Sequence, residues 1–318
     1  MSISLISKNA QKVLLNKNLR LQGSKYIGDY KFDCKNEVPV FEISTIHALN
    51  QIIGHAKFNN NNYGTIYYRG ERRLHDSIIP SLYREGTHVY VKNAGINKLL
   101  KEIRNQEKKH DNFKLSGNVE FDNYKLEGCL QHYGISTRFI DVVDNHWVAL
   151  WMGLNTPQKL GKKHGYIRYT PREIPFIKTM KGQVINEENL YQYILLIAIP
   201  NSREHNTHIG ITRTEKFVSI DLRQALPSVF LRPHAQHGIV VRKRCDSNCA
   251  ADFDIATEVI GILKIRIDYA TEWLGDGLLL SQDNLFPPAA FDQGLEILSS
   301  WENGKEIVSP YFVLPKYV

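Results

Sequence analysis

The sequence predicts an α+β fold, with helices packed on a mostly antiparallel sheet. Helical periodicity dominates up to about residue 160, and strand-like runs dominate after it. The 318 residues are enough to bury a core, and 42% hydrophobic with 23% charged residues is the balance of a globular protein.

Taken in order, residues 1–40 mix Asn, Lys and Ser with scattered apolar residues and define no element. Either Ser44 or Thr45 caps a helix that carries Ile46, Leu49, Ile52, Ile53 and Ala56 on one face and ends at the polar run Asn59–Asn62. Thr65–Arg69 is a strand that enters a tight turn at Gly70. Residues 97–110 are helical, with Leu99, Leu100 and Ile103 inward, and residues 120–132 form another helix stopped at Gly134. Thr137–Asp141 is a short strand or extended loop. Asp144 or Asn145 then caps a buried helix over Trp147–Met152, in which Trp147 and Trp151, four apart, read as core packing rather than a base-stacking platform.

Strands are expected at 165–170, 193–200, 216–221, 238–243 and 258–267, the second being the longest apolar run in the chain. One or two helices follow between 269 and 301, broken at Pro287-Pro288. With no internal repeat, residues 41–318 read as one domain behind an N-terminal segment, 1–40, of undetermined structure.

A net charge of +7 and a pI near 9.0 suit a phosphate-rich partner, either nucleic acid or a nucleotide, although the charges are spread rather than clustered. No apolar run approaches the ~20 residues of a membrane helix, so no membrane is expected. The N-terminus lacks the pattern of a signal peptide. Four cysteines make no disulfide framework, so the expected compartment is the cytoplasm. His234-x-x-His237 ahead of Cys245-x-x-x-Cys249 matches no common zinc module, and no metal is expected.

Three segments stand out. Tyr67-Tyr68-Arg69-Gly70-Glu71 is followed by Ile79-Pro80-Ser81-Leu82-Tyr83-Arg84. Leu130-Gln131-His132-Tyr133-Gly134-Ile135-Ser136-Thr137-Arg138-Phe139-Ile140-Asp141 runs on to Asn145-His146-Trp147-Val148-Ala149-Leu150. Arg232-Pro233-His234-Ala235-Gln236-His237-Gly238 precedes a strand. Together, with a weaker Leu285-Phe286-Pro287 to Leu295, they resemble the FRG-domain family, named for its Phe/Tyr-Arg-Gly tripeptide, over roughly residues 60–300. The second segment is the most specific. It departs from the family pattern at Ser136, where Pro is common, at Val142 and Val143, where Trp and a hydroxyl residue are common, and at His146, a frequent Pro.

The layout is also similar, more distantly, to the Arg-Ser-Glu plan of ADP-ribosyltransferases, which implies a split-sheet core, NAD as substrate and no metal. The resemblance implies that Arg69, Gly70, His132, Tyr133, Thr137, Arg138, Arg232 and Gln236 bind the nucleotide. Arg69, Arg138 and Gln236 would then surround one pocket. Gln236 and His237 stand where the Glu is expected, so Asp141, Glu71 and Gln236 are the catalytic candidates, Asp141 first. The acceptor is either a nucleic acid or a protein, and relatives of this kind are suspected toxins or antiviral effectors. The rival reading is a non-catalytic module that binds RNA, DNA or another phosphorylated ligand.

Physical alternatives accompany each residue. Arg69, whose planar fork suits phosphate and which lies beside Gly70 where backbone approaches a ligand closely, either grips an anion or pairs with a carboxylate such as Asp141. Arg138 and Asp141 either serve the ligand or pair with each other. His132 is either a general base or a core histidine bonded to a backbone carbonyl.

Overall fold

The computed structural model describes residues 11–84, 88–160, 166–172, 187–201, 208–288, 290–300 and 312–313. In chain order the elements are β1 (Ser24–Lys31), β2 (Glu37–Ile43), α1 (Ile46–Asn60), β3 (Gly64–Glu71), α2 (Val89–His110), α3 (Val119–His132), β4 (Ile140–Val143) and α4 (His146–Leu154). There follow β5 (Asn155–Leu160), β6 (Tyr166–Pro171), β7 (Tyr191–Pro200), β8 (Ile211–Arg213), β9 (Phe217–Asp221), α5 (Leu222–Ala225), α6 (Leu231–Ala235) and β10 (Gly238–Lys243). The last are β11 (Val259–Arg266), α7 (Ile267–Trp273), α8 (Gln282–Leu285), α9 (Gln293–Ser300) and β12 (Phe312–Val313). The fold is α+β, as the sequence predicts.

Nine strands form one sheet in the order β1-β2-β11-β7-β3-β4-β10-β9-β8, and a small sheet has the order β12-β6-β5. Neighbours in the large sheet run antiparallel except β2 and β11, which are parallel. β1 and β2 are thus part of the main sheet, and the expected boundary at residue 40 falls inside β2.

β7 is apolar almost throughout because it is flanked on both edges and covered on both faces. Its Ile194, Leu196 and Ala198 meet α1, α4 and α7 through Leu49, Ile52, Val148, Trp151 and Ala270. Its Leu195 and Ile197 face the other way, with Ile140, Val142, Ile239 and Ile262. A further cluster seats α2, α3 and α9 on β9 and β10, through Leu100, Leu130, Leu298, Ile220 and Val240.

Strand β3 does not turn at Gly70 but continues to Glu71, paired to Tyr193 of β7. Gly70 is required by α4: a Cβ there would lie 1.8 Å from the Ala149 carbonyl oxygen and 2.8 Å from the Gly153 nitrogen. The glycine therefore admits the backbone of α4. β3 and β4 are joined at the single pair Tyr68–Val143, so the sheet parts beyond it.

Candidate functional site

The segment from Leu130 to Asp141 is shaped by how α3 ends. Gly134 takes φ of 96°, Gly134 N–H donates to Gln131 O, and Ile135 N–H donates to Leu130 O, each at 3.0 Å. This is a Schellman ending, in which a left-handed glycine satisfies the last carbonyls and reverses the chain. The reversal brings Thr137 back against α3. Its hydroxyl, fully buried, donates to Gln131 Oε1 at 2.8 Å and accepts from Phe139 N–H at 3.1 Å. Gln131 Nε2 then donates to Asp141 Oδ2 at 2.6 Å, and His132 Nδ1 lies 3.3 Å from Asp141 Oδ1. His132 rests against Gly238 of β10, and its Nε2 is buried without a partner among the described residues. His132 therefore faces a carboxylate, not the backbone carbonyl expected of it.

The Asp141 side chain, held at two points, stays 40% exposed. Across the gap between β3 and β4, Arg69 Nη1 donates to the Asp141 backbone oxygen at 2.7 Å, and Arg69 Nε donates to Glu71 Oε1 at 2.6 Å. Arg69 is thus paired with Glu71 and with a carbonyl of Asp141, rather than with the Asp141 carboxylate. Burial opposes its charge, but Glu71 and Asp141 outweigh it and raise the guanidinium pKa. Arg84 joins the group: burial and the charge of Arg69 lower its pKa, against the pull of Glu71 and Asp141. Leu82 N–H donates to Thr137 O at 3.4 Å, which ties the segment before Arg84 to the same block. Arg84 ends the Pro-Ser-Leu-Tyr-Arg motif, and sequence reasoning did not single it out.

The other candidates lie elsewhere. Arg138 binds Glu127 of α3 through Nε at 2.8 Å and Nη2 at 2.6 Å, not Asp141. Burial works against the Arg138 charge, but the hydrogen bonds and charge of Glu127 prevail and raise its pKa. Tyr133 is fully buried and its hydroxyl donates to Asp292, with Arg232 stacked on its ring at 4.6 Å. Arg232 is 3% and Gln236 5% exposed, and Gln236 Nε2 donates to the Leu285 carbonyl at 2.8 Å. Tyr133, Thr137, Arg232 and Gln236 are thus interior residues, and Arg69, Arg138 and Gln236 are each held by different partners.

The helix N-terminus after Asp141 is capped by its own sequence, since the Asn145 side chain accepts from Trp147 N–H at 2.9 Å. Of the zinc-type residues weighed, Cys245 and Cys249 are free and exposed, and the described residues include no group of three or more His, Cys, Asp or Glu that could hold a metal. No helix among the described residues is long and apolar enough to cross a membrane.

Residues 64–162 match the family model of the FRG domain. That stretch is an FRG domain. The matched stretch includes Arg69, Glu71, Arg84, His132, Arg138 and Asp141, while Arg232 and Gln236 lie outside it. No curated protein and no solved structure matches the chain. The FRG stretch therefore supplies both sides of the Arg69–Asp141 cluster.

Proposed function

We propose that this protein binds NAD or a related nucleotide at the Arg69–Arg84–Asp141 cluster and cleaves or transfers its ADP-ribose part. The observation that carries the reading is the Asp141 carboxylate, fixed by Gln131 and His132 yet 40% exposed, beside two arginines. Arginines grip a diphosphate. In the reaction the bond between ribose C1′ and nicotinamide nitrogen breaks. Nicotinamide leaves with the bonding pair, and positive charge spreads over C1′ and the ring oxygen. Water, or a protein or nucleic-acid nucleophile, then adds at C1′ and loses its proton. A fixed carboxylate about 4 Å from that charge contributes on the order of 4 kcal/mol at an effective dielectric near 20. That is roughly a thousandfold in rate. Glu71 is engaged by Arg69 and ranks second, and Gln236 is enclosed. A cytoplasmic toxin or antiviral role fits consumption of NAD.

The test is nicotinamide release from NAD by the purified chain. Asp141→Asn should lower turnover roughly a thousandfold while NAD still binds, because shape is kept and charge is lost. Arg69→Ala should abolish binding. Retained turnover in Asp141→Asn refutes the assignment. NAD-independent binding of a polynucleotide, falling linearly in log K with log salt, would instead support the binding-module reading that the +7 charge suggests.

A further inference from the structure

A cavity of about 400 Å³ opens where α2, α3 and the 81–84 segment meet the far end of β10. It shares no side chain with the Arg69–Asp141 cluster. Its cations are Arg138, Arg242, Lys243 and Arg244, against two lining carboxylates, Glu215 and Asp246. Beneath them the fully buried Glu127 engages Arg138 in two bonds and Arg242 Nη1 at 3.3 Å, so one carboxylate serves two guanidiniums.

These groups are fixed before any ligand arrives. Arg242 stacks at 4.7 Å on Tyr124 and 5.2 Å on Phe139, and its Nε is buried without a partner among the described residues. Arg244 Nη1 donates to the Thr214 carbonyl at 2.8 Å. The wall beside them is aromatic, with the Tyr83 and Phe253 rings 4.4 Å apart. Preorganised guanidiniums beside an aromatic wall suit an anion that carries a planar group. The volume falls within the roughly 300–1,000 Å³ of small-molecule sites.

We propose that this cavity binds a small phosphorylated ligand of nucleoside-phosphate size, its phosphates on Arg138, Arg242 and Arg244 and its planar part against Tyr83 and Phe253.

The experiment is calorimetric titration of the full chain with pyrophosphate and with adenosine diphosphate at low salt. It is repeated on Lys243→Gln/Arg244→Gln, which leaves Glu127 and its partners untouched. The expected result is a saturable pyrophosphate site that is weakened roughly tenfold or more in the double variant, which removes two of the four cations lining the cavity. Adenosine diphosphate should bind more tightly than pyrophosphate at that site. No saturable pyrophosphate binding, or binding unchanged in the double variant, overturns the proposal. Either failure leaves the nicotinamide-release test intact, because the two sites have no side chain in common.

Discussion

Glu127→Gln tests how the FRG block is held together. Glu127 is fully buried in the middle of α3. Its carboxylate accepts the Arg138 backbone N–H at 3.0 Å, Arg138 Nε and Nη2, and Arg242 Nη1. An amide of the same shape keeps one acceptor oxygen and turns an NH₂ group toward guanidinium donors, leaving two enclosed cations without a counter-charge. Breaking a buried pair by removing one partner costs about 3–5 kcal/mol. At about 2 °C per kcal/mol for a large domain, the thermal midpoint should fall by roughly 6–10 °C. Calorimetry or circular-dichroism melting measures it directly. Adding Arg138→Met to Glu127→Gln removes one stranded cation, so the double variant should recover part of the loss. A fall below about 2 °C, or a double variant with the summed loss of the two singles, would refute the reasoning.

Two further outcomes follow from packing and titration. Gly70→Ala should cost more than about 4 kcal/mol, seen as a lost or sharply lowered melting transition, because the new Cβ meets helix backbone that only a shift of α4 can clear; a wild-type midpoint would show that α4 does not sit so close. Burial, with the charge of Lys57 second, lowers His146 to about 4, so the unfolded ring takes a proton near pH 6.5 and the folded ring does not until about 4. Stability is therefore full above about pH 6.5 and is lost as pH falls toward 4. In urea unfolding, wild type should lose on the order of 1–3 kcal/mol more than His146→Gln between about pH 7 and pH 4.5, allowing for partial exposure. Equal losses would contradict it.

The elements that sequence made visible are those whose signal is local. Helix α1 carries its buried stripe at Leu49, Ile52, Ile53 and Ala56 and takes Thr45 as its cap. β7 advertises itself as an apolar run because it lies in the middle of the sheet. β1 and β2 escaped because their reasons are distant. β1 is an edge strand with one half-buried face and Gly28 in its interior. β2 contains Pro39, which argues against a strand. The conflict disappears in the sheet, where Pro39 pairs only with Asp29 of β1 and the parallel partnership with β11 begins at Val40.

At the site, motif membership located Asp141, Arg69 and Glu71 but not who pairs with whom. Glu127 lies in a helix that also carries an exposed Glu120 and a buried Asp122, and nothing local marks it as the partner of Arg138. Gln236 sits where a third motif residue would face the ligand, yet α6 turns it inward to Leu285. Sequence order cannot report that inward turn, because it depends on where the 282–286 segment docks.

Unused hydrogen-bonding capacity separates ligand-facing residues from stitching ones. Thr137 both donates and accepts inside the protein, and Gln131 has its oxygen and its nitrogen engaged, so neither has an obvious role to offer a ligand. A guanidinium has about five donors, and Arg69 directs two to Glu71 and the Asp141 carbonyl. A carboxylate has about four lone-pair sites, and Asp141 meets Gln131 and His132 with two while its side chain stays 40% exposed. Arg138, by contrast, directs Nε and Nη2 to Glu127 and faces the separate cavity with what remains. The same accounting predicts which substitutions are functional. Loss of Thr137 should register in stability, whereas loss of charge at Asp141 should register in chemistry, because only the latter residue combines a fixed position with acceptors still open to solvent.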